Sequence, residues 1–315
     1  MKSAIVGAGA VGAYLAALMT RAGEDVSLIA RGATFAAISQ HGVRVDSADG
    51  GFEARPAVVE NYAALGPVDV VFLAVKAHSL PAIASKLGPL LGPETTVVSM
   101  QNGIPWWYFE GADRIHCLDP GGVIAAAIEP RSILGSIVYF STEAAEPGVI
   151  RHTAGNRLSL GEPSGERSER ARLISAMLVH AGLRCPVTTH LRQEIWVKLL
   201  GNASFNPISA LTGATIVEMV RHPEVSALVR GIMSEVEAVA TRLGMELPVS
   251  MEQRIAGAEK VGEHKTSMLQ DLEAGRALEL DALVGAVLEV GLRLAVPMPA
   301  TQAVYACAKL RAEHR

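Results

Sequence analysis

Lys2-Ser3-Ala4-Ile5-Val6-Gly7-Ala8-Gly9-Ala10-Val11-Gly12 opens the chain, and its reading decides the fold. Lys2 to Val6 is a short, mostly apolar strand. Ala13 to Arg21 has helical composition and ends near Gly23, a suitable C-cap, and Val26 to Ala30 is a second strand. The three glycines therefore fall between a strand and the start of a helix. In that setting Gly7 permits a tight turn, Gly9 lets a pyrophosphate approach the backbone, and Gly12 lets helix and strand pack closely. The helix start offers free N–H groups and a partial positive charge to phosphate. A tight turn in any α/β protein would account for the glycines alone. Their place in a strand–loop–helix–strand unit favours a dinucleotide loop made of Gly7, Ala8, Gly9, Ala10, Val11 and Gly12.

The end of the second strand chooses between dinucleotides. An NAD site calls for an acidic residue there, to meet the ribose 2′-hydroxyl. The chain has Ala30-Arg31-Gly32 instead, and a guanidinium pairs well with a 2′-phosphate, so NADPH is the expected cofactor. A solvated surface arginine is the plainer reading of Arg31. Lys76 follows a later strand and reads either as a second phosphate contact or as a snorkelling surface lysine. Gln101-Asn102-Gly103 ends the next strand, where Asn-Gly is accounted for by a turn.

Working outward, Val70 to Val75 is a continuous apolar run, as a strand buried on both faces should be. Leu80 to Leu87 reads as a helix and Thr95 to Met100 as a strand. This alternation implies a parallel, doubly wound sheet. Ile133 to Phe140, Gly148 to Thr153 and Leu158 to Leu160 read as strands that extend the sheet in antiparallel fashion. Ser168 to Ala181 reads as a helix and Leu183 to Val187 as a last strand. After Thr188 the strand signal ends, and Arg192–Ala203, Pro223–Leu243, Leu280–Leu294 and Pro299–Glu313 have helical periodicity. Pro223 and Pro299 suit first-turn positions. The fold class is α/β: an N-terminal Rossmann-type doubly wound sheet over 1–188, then an all-helical domain over 189–315. A cleft between domains is the default ligand site.

Bulk properties agree. A chain of 315 residues suits two domains, and half of it is hydrophobic. A net charge of -4 gives no footprint for nucleic acid and no polybasic surface for membrane lipid. Cys117, Cys185 and Cys307 are odd in number and widely spaced, which fits a reducing compartment and a cytoplasmic protein. The apolar run from Ala4 to Met19 has the look of a secretory leader, but its glycines stand where a nucleotide loop needs them. No stretch reaches the length of a membrane span.

Lys198, Asn202 and Asn206 recur at four-residue spacing and so share one helix face, among apolar Ile195, Trp196, Leu199, Leu200 and Phe205. Polar groups on so apolar a segment need partners or a wet cleft. A surface lysine with two capping or core asparagines is the alternative. Pro207 should kink or stop the helix. Reduction of a 2-oxo acid needs hydride, a proton for the developing alkoxide, a positive group to polarise the carbonyl, and an anchor for the carboxylate. A lysine whose pKa is lowered by burial meets the second and third needs together. The chain lacks a phosphate-binding Gly-Lys-Ser/Thr loop, a Gly-x-Ser-x-Gly elbow and a His-Glu-x-x-His pair, and its histidines show no metal spacing.

Taken together, the glycine loop with Arg31, Val75-Lys76, Gln101-Asn102-Gly103 and Lys198-x-x-x-Asn202-x-x-x-Asn206-Pro207 resemble the ketopantoate reductase family over nearly the whole chain. Thr266-Ser267-Met268-Leu269-Gln270-Asp271, Arg276 and Glu279-Leu280-Asp281 complete the resemblance. It implies a helical domain like that of 6-phosphogluconate dehydrogenase, NADPH as cofactor, and reduction of 2-dehydropantoate to (R)-pantoate in pantothenate synthesis. Lys198 would then be the general acid, with Glu279 beside it in the catalytic set. Asn102 would sit between nicotinamide and lysine. Ser267 and Glu279 would bind substrate, with Asn202 and Asn206 in support.

Two departures bear on the substrate. Val284 stands before Gly285 where many members have Asn-Gly, and Trp106-Trp107-Tyr108-Phe109 is unusually aromatic. The aromatic run could reshape the pocket, form an oligomer contact or be local core. The alternatives are the same chemistry on another small 2-oxo acid, and an NADPH-binding sensor without turnover. A homodimer is one option for the assembly.

Overall fold

Strand β1 (Ser3–Val6) is buried along its whole length and sits inside a seven-stranded sheet. The computed structural model describes residues 1–48 and 50–314. The sheet runs in the order β11-β8-β7-β6-β1-β2-β5, made of β2 (Val26–Ile29), β5 (Ala57–Val59), β6 (Val70–Leu73), β7 (Thr96–Ser99), β8 (Ile133–Val138) and β11 (Leu158–Gly161). All neighbours pair in parallel except β8 and β11. Strands buried on both faces read as unbroken apolar runs, which is why β1 and β6 were visible in the sequence.

The remaining strands make a second sheet, ordered β4-β3-β10-β9, from β3 (Val43–Ser47), β4 (Phe52–Ala54), β9 (Ser141–Glu146) and β10 (Val149–Ala154). This corrects the expected antiparallel extension: β11 does extend the main sheet, but β10 pairs with β3 and β9 instead. The expected strand over Leu183–Val187 is reduced to isolated bridges at Arg184 and Val187.

Helix α1 (Ala10–Arg21) packs against both sheets, touching β1 and β2 on one side and β3, β4, β9 and β10 on the other. Its residues from Gly12 to Met19 are all buried, and Tyr14 stacks on His152 of β10 at 4.9 Å. A helix that is apolar all round must be covered all round. That double covering explains the leader-like composition.

Other helices of this part are α2 (Gly32–His41), α3 (Leu80–Ala84), α4 (Val123–Ala127) and α5 (Glu169–His180). α3 is shorter than the helix expected over Leu80–Leu87: it ends at Ala84, and a separate 3-10 turn follows at Gly88–Leu90.

Beyond it come α6 (Leu191–Thr212), α7 (Ile216–Arg221), α8 (Pro223–Arg242), α9 (Met251–Val261), α10 (Ser267–Glu273), α11 (Ala286–Arg293) and α12 (Pro299–Glu313). Pro223 and Pro299 lie in first turns. Pro207 was expected to kink or stop its helix, yet α6 runs on past it to Thr212. Buried Val229, Ile232, Met233, Val236 and Val239 form the core face of α8, at the spacing of an amphipathic helix. α8 packs on α7, α9, α11 and α12.

The chain divides into two units. One holds Met1–Gln101 and Asp119–Leu191, the other Asn102–Leu118 and Arg192–Arg315. The helical unit thus takes a segment out of the first half, where a single boundary at 188/189 places none.

Candidate active site

In the sheet-bearing unit the glycine loop follows β1 and ends in α1. A methyl carbon on Gly12 would lie 1.9 Å from the Gly7 carbonyl oxygen and 3.0 Å from Ala74 Cβ, so only glycine lets the helix start this close to the strand. Gly9, the N-cap of α1, differs: a methyl there would meet nothing within 4 Å. No side chain caps this helix start. A loop with open space before uncapped N–H groups fits the pyrophosphate of a dinucleotide. Ala8, Ala10 and Val11 supply backbone and no polar side chain.

Arg31 is exposed at the end of β2 and is the N-cap of α2. The next N–H, that of Gly32, donates to Glu60 Oε1 at 2.9 Å. Sequence reading did not find Glu60, because nothing before β5 was placed shows that it returns beside β2. Lys76 is half-buried beyond β6, at the start of a 3-10 turn. Gln101 donates through Nε2 to the carbonyls of Leu73 and Val75, at 2.7 and 3.1 Å, which fixes the chain end of β7.

In the helical unit, segment 102–118 lies along the residues before α11. Gly103 has φ +87°, and a methyl on it would sit 2.1 Å from the Ala282 carbonyl oxygen. That oxygen accepts from the Ile104 N–H at 3.1 Å. The glycine therefore serves a close backbone approach, and the approach sets Asn102. The Asn102 carboxamide oxygen accepts from Lys198 Nζ at 2.6 Å.

The aromatic run holds the same segment against α6. Trp106, Trp107 and Tyr108 are buried, Trp196 Nε1 donates to the Tyr108 hydroxyl at 2.9 Å, and the Arg192 guanidinium lies 4.6 Å over the Tyr108 ring. These residues are local core. Further along, Glu289 of α11 accepts from the N–H groups of His116 and Cys117 at 2.8 and 3.1 Å.

Lys198 sits on α6, partly buried. Burial pulls its ammonium pKa down to about 8, Glu279 opposes that pull, and Arg254 of α9 adds to it. Glu279 is buried. Arg254 was missed altogether. Its guanidinium lies against α6 at Gly201: a methyl there would be 2.5 Å from Nη2 and 2.9 Å from Nε. The signal was a glycine inside an apolar helix, which marks a close approach without saying of what.

The structure therefore brings together Lys198, Asn102 and Glu279. Asn202 and buried Asn206 follow on the lysine's helix face. Ser267 is exposed on the first turn of α10, with no hydrogen bond to these groups among the described residues. Its neighbours are structural: Thr266 caps α10 through the Leu269 N–H, and Asp271 pairs with Arg276 at 2.9 Å. Val284 is buried in the π-helical turn Asp281–Gly285. Among the described residues no cluster of His, Cys, Asp and Glu could hold a metal ion, and no helix is long and apolar enough to cross a membrane.

Comparison with known proteins gives a consistent result. The family model of ketopantoate reductase PanE/ApbA matches residues 3–165, and that of its C-terminal part matches residues 190–312. A 2-dehydropantoate 2-reductase of Mesorhizobium japonicum is 50% identical, over 100% of this chain and 99% of that relative. A crystal structure from Ralstonia solanacearum MolK2, assigned to the ketopantoate reductases, superposes with a TM-score of 0.95 at 41% identity, covering 100% of this chain and 98% of that one. The 2-dehydropantoate 2-reductase of Geobacter metallireducens GS-15 gives 0.89 at 29% identity, covering 98% and 99%.

Proposed function

The chain belongs to the ketopantoate reductase family and is an oxidoreductase, and from that premise we propose that it reduces 2-dehydropantoate to (R)-pantoate with NADPH, in the cytoplasm and as a step of pantothenate synthesis. The observation that carries this reading is the Lys198 amine, partly buried, bonded to Asn102 and shifted to about 8.

The glycine loop would hold the pyrophosphate, and Arg31, with Lys76 in support, the 2′-phosphate. When bound, the cofactor supplies the hydride that adds to the keto carbon. As negative charge builds on the carbonyl oxygen, the Lys198 ammonium stabilises it and transfers one proton to it, leaving a hydroxyl and a neutral amine. Solvent then returns the proton. Asn102, by accepting from Nζ, fixes where the remaining N–H bonds point. Glu279 keeps the amine charged against the pull of burial, and its carboxylate is suited to accept from a substrate hydroxyl. Asn202 and Asn206 line the same helix face, and Ser267 is assigned to substrate binding.

A screen of NADPH oxidation across small 2-oxo acids tests this reading. The highest specificity constant is expected for 2-dehydropantoate. A much higher constant for another acid moves the assignment to that substrate, and no turnover with any acid favours a nucleotide-binding sensor.

One observation favours a second reading of the cofactor. Glu60 brings a carboxylate to the Gly32 N–H, next to Arg31, and a carboxylate is the group that meets a ribose 2′-hydroxyl in NAD sites. Arg31→Ala should raise the KM for NADPH by about 10- to 100-fold and leave that for NADH nearly unchanged, since a charge-assisted bond contributes roughly 1.5–3 kcal/mol. Equal effects on both would count against a 2′-phosphate role for Arg31.

A further inference from the structure

We propose that Arg254 is the anchor for the substrate carboxylate, admitted to the site by the missing side chain of Gly201. This rests on the reading above that the substrate is a 2-oxo acid.

The argument starts on α6. Positions 201 and 202 both neighbour Lys198 on the helix surface at three- and four-residue spacing, so the space left by Gly201 lies beside the proton donor, on the side away from Asn202. The Arg254 guanidinium fills the space in which any Cβ would stand, with Nη2, Nε and Cζ at 2.5, 2.9 and 3.0 Å from that point. A planar fork of N–H donors laid on a bare helix face is suited to bidentate recognition of a carboxylate, which a lysine ammonium cannot give. Charge points the same way. Arg254 and Glu279 both act on Lys198, and the three charges sum to one positive charge, matched by a monoanion.

The placement couples binding to proton loading. Arg254 lowers the proton affinity of Lys198, while Glu279 raises it. A carboxylate seated on Arg254 cancels its charge, so the amine gains affinity for its proton when substrate arrives. A neutral ketone has no such effect.

The experiment compares a 2-oxo acid with its methyl ester, which keeps the keto carbon and loses the charge. Wild-type protein, Arg254→Met and Gly201→Ala are assayed with saturating cofactor across pH. Arg254→Met should lose about 100-fold in kcat/KM on the acid, the scale of a bidentate charge-assisted pair, and only a few-fold on the ester. Its falling limb in kcat/KM should also move to higher pH, because a cation beside Lys198 is gone. Gly201→Ala pushes the guanidinium away without removing it, and should show the same selectivity at smaller size. It keeps the test alive if Arg254→Met fails to fold. Equal losses on acid and ester in both variants, or an unmoved limb, overturn the proposal. A wild-type protein that reduces no 2-oxo acid overturns this proposal and the assigned function together. Turnover of the acid with unchanged selectivity in the variants overturns the anchor alone.

Discussion

The two units carry chemistry in different ways. In the sheet-bearing unit the candidate cofactor groups are mostly backbone N–H groups, and the design consists of leaving side chains out. Gly12 is required by an approach of 1.9 Å, and Gly9 leaves open space. In the helical unit the candidate chemistry is one amine, and its reactivity depends on groups brought from other segments: Asn102 before the aromatic run, Arg254 on α9 and Glu279 before α11. A backbone loop is specified by local sequence. A tuned side chain is specified by tertiary packing.

That contrast breaks most readily at Lys198. Lys198→Ala should lower turnover by about 10²–10⁴, the usual scale for a lost general acid, while cofactor binding measured by fluorescence titration stays as in the wild type. Loss of cofactor binding in this variant would mean that the amine serves the nucleotide and not the carbonyl.

The next effect separates two glycines of one loop. Gly12→Ala should destabilise the fold by about 1–3 kcal/mol, because the added methyl overpacks a backbone contact. Gly9→Ala has room for its methyl and should melt like the wild type, yet raise the KM for cofactor. Equal melting temperatures for the two variants would remove the distinction between packing glycine and binding glycine. A smaller effect belongs to Asn102→Ala, which should cost about tenfold in kcat, the order of one hydrogen bond to a charged group. Because Gly103 and the aromatic core hold the segment independently, its melting temperature should hardly change.

The same contrast explains what was legible in the sequence. β1, the glycine loop, α1 and the doubly wound sheet follow from local pattern, because strands buried on both faces read as apolar runs and the glycines mark where the apolar run of α1 begins. Lys198, Asn202 and Asn206 were legible through helix spacing. The second sheet was not: β9 carries Ser, Thr and Glu and is largely half-exposed, so its place depends on its pairing with β10. Pro207 does not stop α6, because the rest of the helix, with Trp196, Leu199 and Phe205 buried, holds it together through the proline. Glu279 entered only through family resemblance, and Arg254 could not be found, since its partner on α6 is a glycine that names no neighbour.

The central claim is that a partly buried amine, its pKa pulled down to about 8 by its surroundings, delivers the proton. It is tested most directly by the pH dependence of kcat/KM for reduction, which reports the ionisations of the free enzyme. A general acid must be protonated, so the constant should be level at low pH and fall as pH rises through about 8. A profile that stays level until about pH 10, where an ordinary lysine titrates, would contradict the account.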